Sequence, residues 1–366
     1  MPTQAASSPI LRFNASVLKE DLAKARDNVS AVVLDGDHLW LGGDEGTAID
    51  RMTRDPAGHF GNQVRFELKD LLKLPVPDGE IDIEGLDVDG GYLWLIGSHS
   101  AKRKKAESDK TAAKNIGRLG TVEIDGNRFT LGRVPLTPAG EPAAAHGALT
   151  AAHLEGDANG NLLTAALEQD PHLGRFVPRR VHDEVTDKDV IRGIPSKDNG
   201  FDVEGLAVSG NRVFLGLRGP VLRGWAVVIE LRVSASGELL TLDPIGPGGT
   251  LYIKHFLQLD GLGVRELVIH GNDLLILAGP SMDLDGPVYI YRWPGALQVA
   301  SESLTWQAEL TRVVTVPFGD GFDHAEGLTL AKDSPLSVLV SYDSPQPLRI
   351  DGEDGSGVKV DLFAVS

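Results

Sequence analysis

The chain is 366 residues long with 42% hydrophobic and 24% charged residues, so it can bury a sizeable core and lacks the low hydrophobicity of a disordered chain. It holds no cysteine, which excludes disulfides, thiolate metal centres and cysteine nucleophiles. Fifty-two acidic residues against 35 basic ones give a formal charge of −17, which argues against nucleic acid or an anionic membrane as partner.

The N-terminus, MPTQAASSPILRF, has neither the basic region nor the apolar core of a signal peptide. No run reaches the ~18 apolar residues of a membrane helix, and a cytoplasmic protein is expected. The first strand-like stretch, Ile10 to Val17, is a candidate partner for the last, Val358 to Val365; their pairing would remove a bare sheet edge.

A repeated unit follows. Val29 to Gly43 (VSAVVLDGDHLWLGG) aligns without a gap on Ile83 to Gly97 (IEGLDVDGGYLWLIG). After the second copy comes a basic loop at 98–116 holding Lys102, Arg103, Lys104, Lys105, Lys110 and Lys114, then strand-like runs at Gly120 to Ile124 and Phe129 to Val134. The unit returns at Val203 to Leu217, Arg265 to Ala278 and, more loosely, Ala325 to Ser341. Further strand-like runs follow at Ala226 to Val233, Glu238 to Leu242 and Val288 to Trp293. Each copy is an apolar strand, a turn such as Asp-Gly or Ser-Gly-Asn, and a second β-rich strand, which is the chemistry of a hairpin.

Four strands per radially repeated unit predict an all-β fold, a β-propeller in one domain over residues 1–366. Anchored on Ser30, Glu84, Glu204, Glu266 and Glu326, three steps lie near 60 residues and one is twice that. Six blades are therefore expected, with a degenerate unit near residue 144. The alternative is five blades with a helix inserted at 158–176, where Leu162, Leu163, Ala166 and Leu167 have helical spacing. A sandwich built from the same hairpins is the competing architecture.

In an up-and-down blade, the start of the first strand and the end of the second lie on one face beside the central channel. The first position holds Ser30, Glu84, Glu204, Glu266 and Glu326, accompanied by Asp82, Asp202, Asp323 and His324. The second supplies Asp44 and Glu45, Ser98 and His99, Arg218, Ser281 and Asp283, Ser341 and Asp343. Oxygen-rich clusters suit a hard divalent cation such as calcium, with Glu84, Glu204, Glu266 and Glu326 as its ligands. His99 is then the candidate general acid/base. The loop lysines and arginine, with Arg218 and Arg223, would hold an anionic small molecule. Each glutamate could equally bond a neighbouring blade's amides as a structural clip, the loop could be a solvated surface segment, and an ion could pin the blades without chemistry. His146, His153 and His172 have no ligand spacing.

The runs DIEGLDVDGGYLWLIGSHSAKRKK (Asp82 to Lys105) and SKDNGFDVEGLAVSGNRVFLGLRGPVLRGWA (Ser196 to Ala226) resemble the bacterial family called domain of unknown function 3616, over nearly the whole chain. More distantly, the Glu-Gly-Leu starts at Glu84, Glu204 and Glu326 are similar to phytase-like, esterase-like propellers. The first resemblance implies a propeller and no assigned activity. The second implies a metal-dependent ester or phosphoester hydrolase. Ser30 and Glu266, the latter followed by Leu267 rather than glycine, depart from its pattern. A propeller that only presents a face to a ligand or protein partner is the other expectation.

Overall fold

Apolar strands joined by tight turns close into hairpins, and in the computed structural model five such hairpins form the inner part of a β-propeller. The structure describes residues 2–18, 21–43, 46–185, 187–333 and 335–365. The hairpins pair Val29–Asp35 with His38–Gly43, Ile83–Asp89 with Tyr92–Gly97, and Asp202–Ser209 with Arg212–Leu222. The remaining two pair Gly263–His270 with Asp273–Gly279, and His324–Asp333 with Leu336–Asp343. Gly36 and Gly210 turn at φ 59° and 63°, a region that costs glycine nothing and a residue with a Cβ much more.

The inner strands pack on one another in sequence order, and the last packs on the first, so the ring closes with five blades among the described residues. This corrects the expectation of six. Around residue 144 the chain makes only the two-residue pairing Ala145–His146 with Leu149–Thr150, and the helix Leu162–Leu167 stands inside the segment foreseen as an insertion. The long step between blades two and three is therefore an excursion from a five-membered ring.

Close packing of the inner strands explains the glycine of the Glu-Gly-Leu motif. A Cβ on Gly85 would lie 2.7 Å from Leu206 Cβ, and one on Gly205 2.9 Å from Leu267 Cγ. Because each blade is covered on both faces, its strands are buried nearly throughout rather than on alternate residues; all six residues of Tyr92–Gly97 are buried.

The two chain ends close the ring. Ile10–Arg12 pairs antiparallel with Gly357–Lys359, a shorter zipper than the sequence proposed, and touches the outer strand of blade one at Leu11 and Phe60. Ser7 bridges Leu362 on the outer strand of blade five. Two excursions leave the ring on either side of the outer strands of blade two. One carries the helix Ala112–Leu119 and the other the helix Leu162–Leu167 with the hairpin Arg179–Asp183/Lys188–Arg192. Among the described residues, no helix is long and apolar enough to cross a membrane.

Candidate functional site

Every inner strand carries a bulge at the same place. The ladder skips one residue between Val29 and Ala31, Ile83 and Gly85, Val203 and Gly205, Val264 and Glu266, and Ala325 and Gly327. The skipped residues are Ser30, Glu84, Glu204, Arg265 and Glu326. A bulge re-aims its side chain out of the regular alternation, and here that gives a ring of five equivalent positions at one end of the channel. Four are the expected residues. The fourth blade differs: its ring residue is Arg265, and Glu266 takes the place held by glycine in blades two, three and five.

Charge is concentrated on this ring and the residues behind it. Arg265 lies between two glutamates, with Nη1 3.2 Å from Glu204 Oε2 and 2.5 Å from Glu326 Oε1. Arg218, at the end of the second strand of blade three, donates Nη1 to Glu204 at 2.9 Å, lies 4.0 Å from Asp202, and donates Nη2 to the carbonyl of Met282. Arg128 binds Asp82 at 2.6 Å and donates to Ser98 and Ser100. Five carboxyl groups thus meet three guanidiniums, and Glu84 is the one with no hydrogen-bond or ion-pair partner among the described residues.

That imbalance moves protons. Burial, with Asp82, Glu204, Asp202 and Glu326 around it, holds the Glu84 carboxyl well above the usual carboxylate range, although it keeps some surface open to the channel. Burial and then Glu204 push Asp202 up to about 7, against the pull of Arg218. Asp82 is raised by burial despite Arg128. At neutral pH the cluster therefore holds protons that isolated carboxylates would have released.

Beside the ring lies a cavity of about 320 Å³ lined by Lys197, Arg218, Arg265, Glu326 and His324, with Met282, Leu284 and Asp285 on one wall. His324 is raised by its bonds to Asp343 and Asp285. Asp283 and Asp343 also line this cavity.

Several expected site residues are elsewhere. Glu266 is fully buried between blades, its Oε1 accepting the amides of Leu206 at 2.9 Å and Leu267 at 2.8 Å, so it is the structural clip weighed above and no metal ligand. His99 is also fully buried. Its Nδ1 meets the carbonyl of Gly97 and its Nε2 the side-chain amide of Asn161, which caps the helix Leu162–Leu167; burial lowers its pKa to about 4. Enclosed and neutral, it ties the second excursion to blade two and does not serve as the acid/base of the channel. Lys102, Arg103 and Lys104 are paired with Asp125, Asp198 and Glu123. Lys105 and the turn residue Arg223 are exposed, and Lys102, Arg103 and Lys104 are compensated by acids of the two excursions. Asp44 and Glu45 lie outside the described residues.

The residues present do not fit a resident divalent cation. The carboxylates of Glu204 and Glu326 are taken by arginine, Glu266 by backbone amides, and among the described residues no three His, Asp or Glu side chains converge as ligands. Sequence reasoning missed Arg265 and Arg128. Arg265 had a signal, since it lies 61 residues from both Glu204 and Glu326; Arg128 sits in an irregular excursion and had none.

A family model described as "Protein of unknown function (DUF3616)" matches residues 28–361. No curated protein matches the sequence. Among solved structures the chain is similar to a PQQ-bound aldose sugar dehydrogenase from Streptomyces coelicolor, at 12% identity and TM-score 0.40, covering 99% of this chain and 100% of that one. A glutaminyl cyclase from Myxococcus xanthus is 9% identical with TM-score 0.39, covering 98% and 100%. A β-1,3-galactosidase bound to galactodeoxynojirimycin is 8% identical with TM-score 0.42, covering 93% and 91%. At these values the likeness carries nothing about chemistry.

Proposed function

The chain belongs to the DUF3616 family of proteins of unknown function, and from its channel mouth we propose that it is a hydrolase of small-molecule esters with Glu84 and Asp202 as its acid–base couple. The observation that carries this is the unpartnered Glu84 carboxyl among four other carboxyls, with Asp202 raised to about 7 by burial. Two interacting carboxyls with displaced titrations are the arrangement from which enzymes draw an acid and a base at neutral pH.

In this reading Asp202 takes a proton from the attacking water while its oxygen bonds to the ester carbonyl carbon. Glu84 gives its proton to the alkoxide oxygen as the carbon–oxygen bond breaks, releasing an alcohol and a carboxylic acid. The proton taken by Asp202 then replaces the one Glu84 gave up. Arg218, whose buried Nε–H has no acceptor among the described residues, supplies a donor for charge developing on the carbonyl oxygen. An uncharged ester suits this mouth better than a phosphoester, because carboxyl groups outnumber guanidiniums in it.

The test is a panel of 4-nitrophenyl esters, lactones and phosphates with the wild type, Glu84→Gln and Asp202→Asn. Ester turnover falling by about 100-fold or more in each variant is expected for loss of a general acid or base. Turnover that ignores both substitutions overturns the assignment. One observation favours the second reading, a non-catalytic ligand-binding face: Arg218, Glu204, Arg265 and Glu326 form a continuous ion-paired chain that makes a fixed floor. Saturable binding without turnover would decide for it.

A further inference from the structure

The cavity beside the ring has two chemically different ends. Its floor is the ion-paired chain of Arg218 and Arg265 with Glu326, and one wall is Met282 and Leu284. Leu284 is 60% exposed and Met282 41%, and on the adjoining segment Phe322 is 46% exposed. These apolar groups come from two loops, one leaving the second strand of blade four and the other entering blade five.

Asp285 joins the loops. It accepts the Gly321 amide at 3.0 Å and bonds His324 Nε2 at 3.2 Å, while Gly319 N–H closes a turn on the Phe322 carbonyl at 3.0 Å. Phe322 therefore sits between two residues tethered to the loop that carries Leu284. Large side chains left open at the lip of a polar cavity mark a place where a ligand covers them. A polar floor and an apolar lip in one concavity call for a molecule with the same division.

We propose that the molecule this cavity takes is an amphiphile: an ester or carboxyl head on the ionic floor and an unbranched apolar arm against Met282, Leu284 and Phe322. The assignment rests on the ester-hydrolase reading for its chemistry, and on the cavity alone for the arm. The occupant is a small molecule because Met282 and Leu284 line a concave site of about 320 Å³ that also takes in Arg265 and Glu326 of the ring. A flat patch would suit a macromolecule better.

Two measurements separate the arm from the chemistry. The first is kcat/KM for 4-nitrophenyl acetate, butyrate, hexanoate and octanoate, with the wild type and with a variant carrying Met282→Ser, Leu284→Ser and Phe322→Ser. The wild type should gain roughly two- to fourfold per added methylene, as burial of a hydrocarbon chain implies, and the variant should lose that slope. The second is thermal unfolding with sodium acetate or sodium octanoate, where octanoate alone should raise the Tm and the variant should show no rise. Turnover with a flat chain-length dependence overturns the amphiphile. No turnover with an octanoate-specific shift overturns the hydrolase and supports the arm. Neither turnover nor shift overturns both. A dimer that dissociates in the variant, with flat chain-length dependence, assigns the lip to a second copy of the chain and overturns the proposal.

Discussion

Arg265 and Glu84 hold the same position in two blades, the residue that the bulge leaves without a cross-strand partner, and they carry opposite charge. The positive member sits between the glutamates of its neighbouring blades. The negative member lies between Ser30 and Glu204 in the ring and has no hydrogen-bonded or ion-paired cation among the described residues. The ring is therefore charge-matched on one side and mismatched on the other, and the mismatched side is where protons are available.

Replacing Arg265 should expose that balance. Arg265→Met leaves Glu204 and Glu326 without the guanidinium between them, and breaking a buried pair by removing one partner costs about 3–5 kcal/mol. Urea unfolding at pH 8 should show a loss of that order. The loss should shrink at pH 5, where the stranded carboxyls can take up protons.

Glu266 should distinguish a clip from a ligand. Burial holds its carboxyl well above the usual range while Oε1 accepts two amides. Glu266→Gln keeps an acceptor oxygen and should leave the Tm nearly unchanged. Glu266→Ala strands the amides of Leu206 and Leu267, at roughly 1–3 kcal/mol for each buried donor, and should lower the Tm by several degrees. Equal effects of the two substitutions would contradict the clip.

Asp87 makes stability depend on pH. It accepts the amide of Val208 in blade three at 2.6 Å, and burial pushes its pKa up to about 7 from an ordinary 3.8. Between those values the unfolded chain has released its proton and the folded chain has not. The group's contribution to stability is then present in full below about pH 4 and is lost as pH rises through 7. Asp87→Asn cannot titrate, so the stability difference between wild type and variant should change steadily from pH 4 to 7. A difference constant over that range would show that Asp87 ionises normally.

Calcium should have no effect on unfolding. A ligand that binds only the native state at a hundredfold excess over its Kd adds about 2.7 kcal/mol, which a thermal scan resolves readily. With the carboxylates engaged by arginines and amides, calcium, magnesium or chelator should leave the Tm within about a degree. A rise of several degrees that vanishes in Glu84→Gln would restore the metal site expected from the sequence.

The inner hairpins were legible because each is local: an apolar run, a tight turn (on glycine in the first four) and a second apolar run leave a pattern that survives divergence. The blade number was less so, since the excursion between Leu154 and Asp202 imitates the length of a blade without supplying its inner strand. The ring positions were legible to within one residue. Glutamates mark the ring in blades two, three and five, yet in blade four the glutamate that continues the pattern, Glu266, faces the neighbouring blade while the arginine before it faces the channel. A one-residue bulge decides which is which, and a bulge is a property of strand pairing with no fixed sequence sign. His99 failed for a related reason: its neighbour Asn161 is 62 positions away in an excursion whose path the sequence does not give.

The pairing of Ile10–Arg12 with Gly357–Lys359 sets the order of events at the ribosome. Blades two, three and four can assemble from residues already delivered, but the seam between blades five and one waits until Gly357–Lys359 has been made. Until then Ile10–Arg12, at the outer edge of blade one, lacks its partner strand, and Val32, Leu339 and Val360, which share one buried cluster in the finished ring, lack part of their cover. The interval before closure is when the nascent protein is most exposed to aggregation, and slower synthesis of blade five would lengthen it.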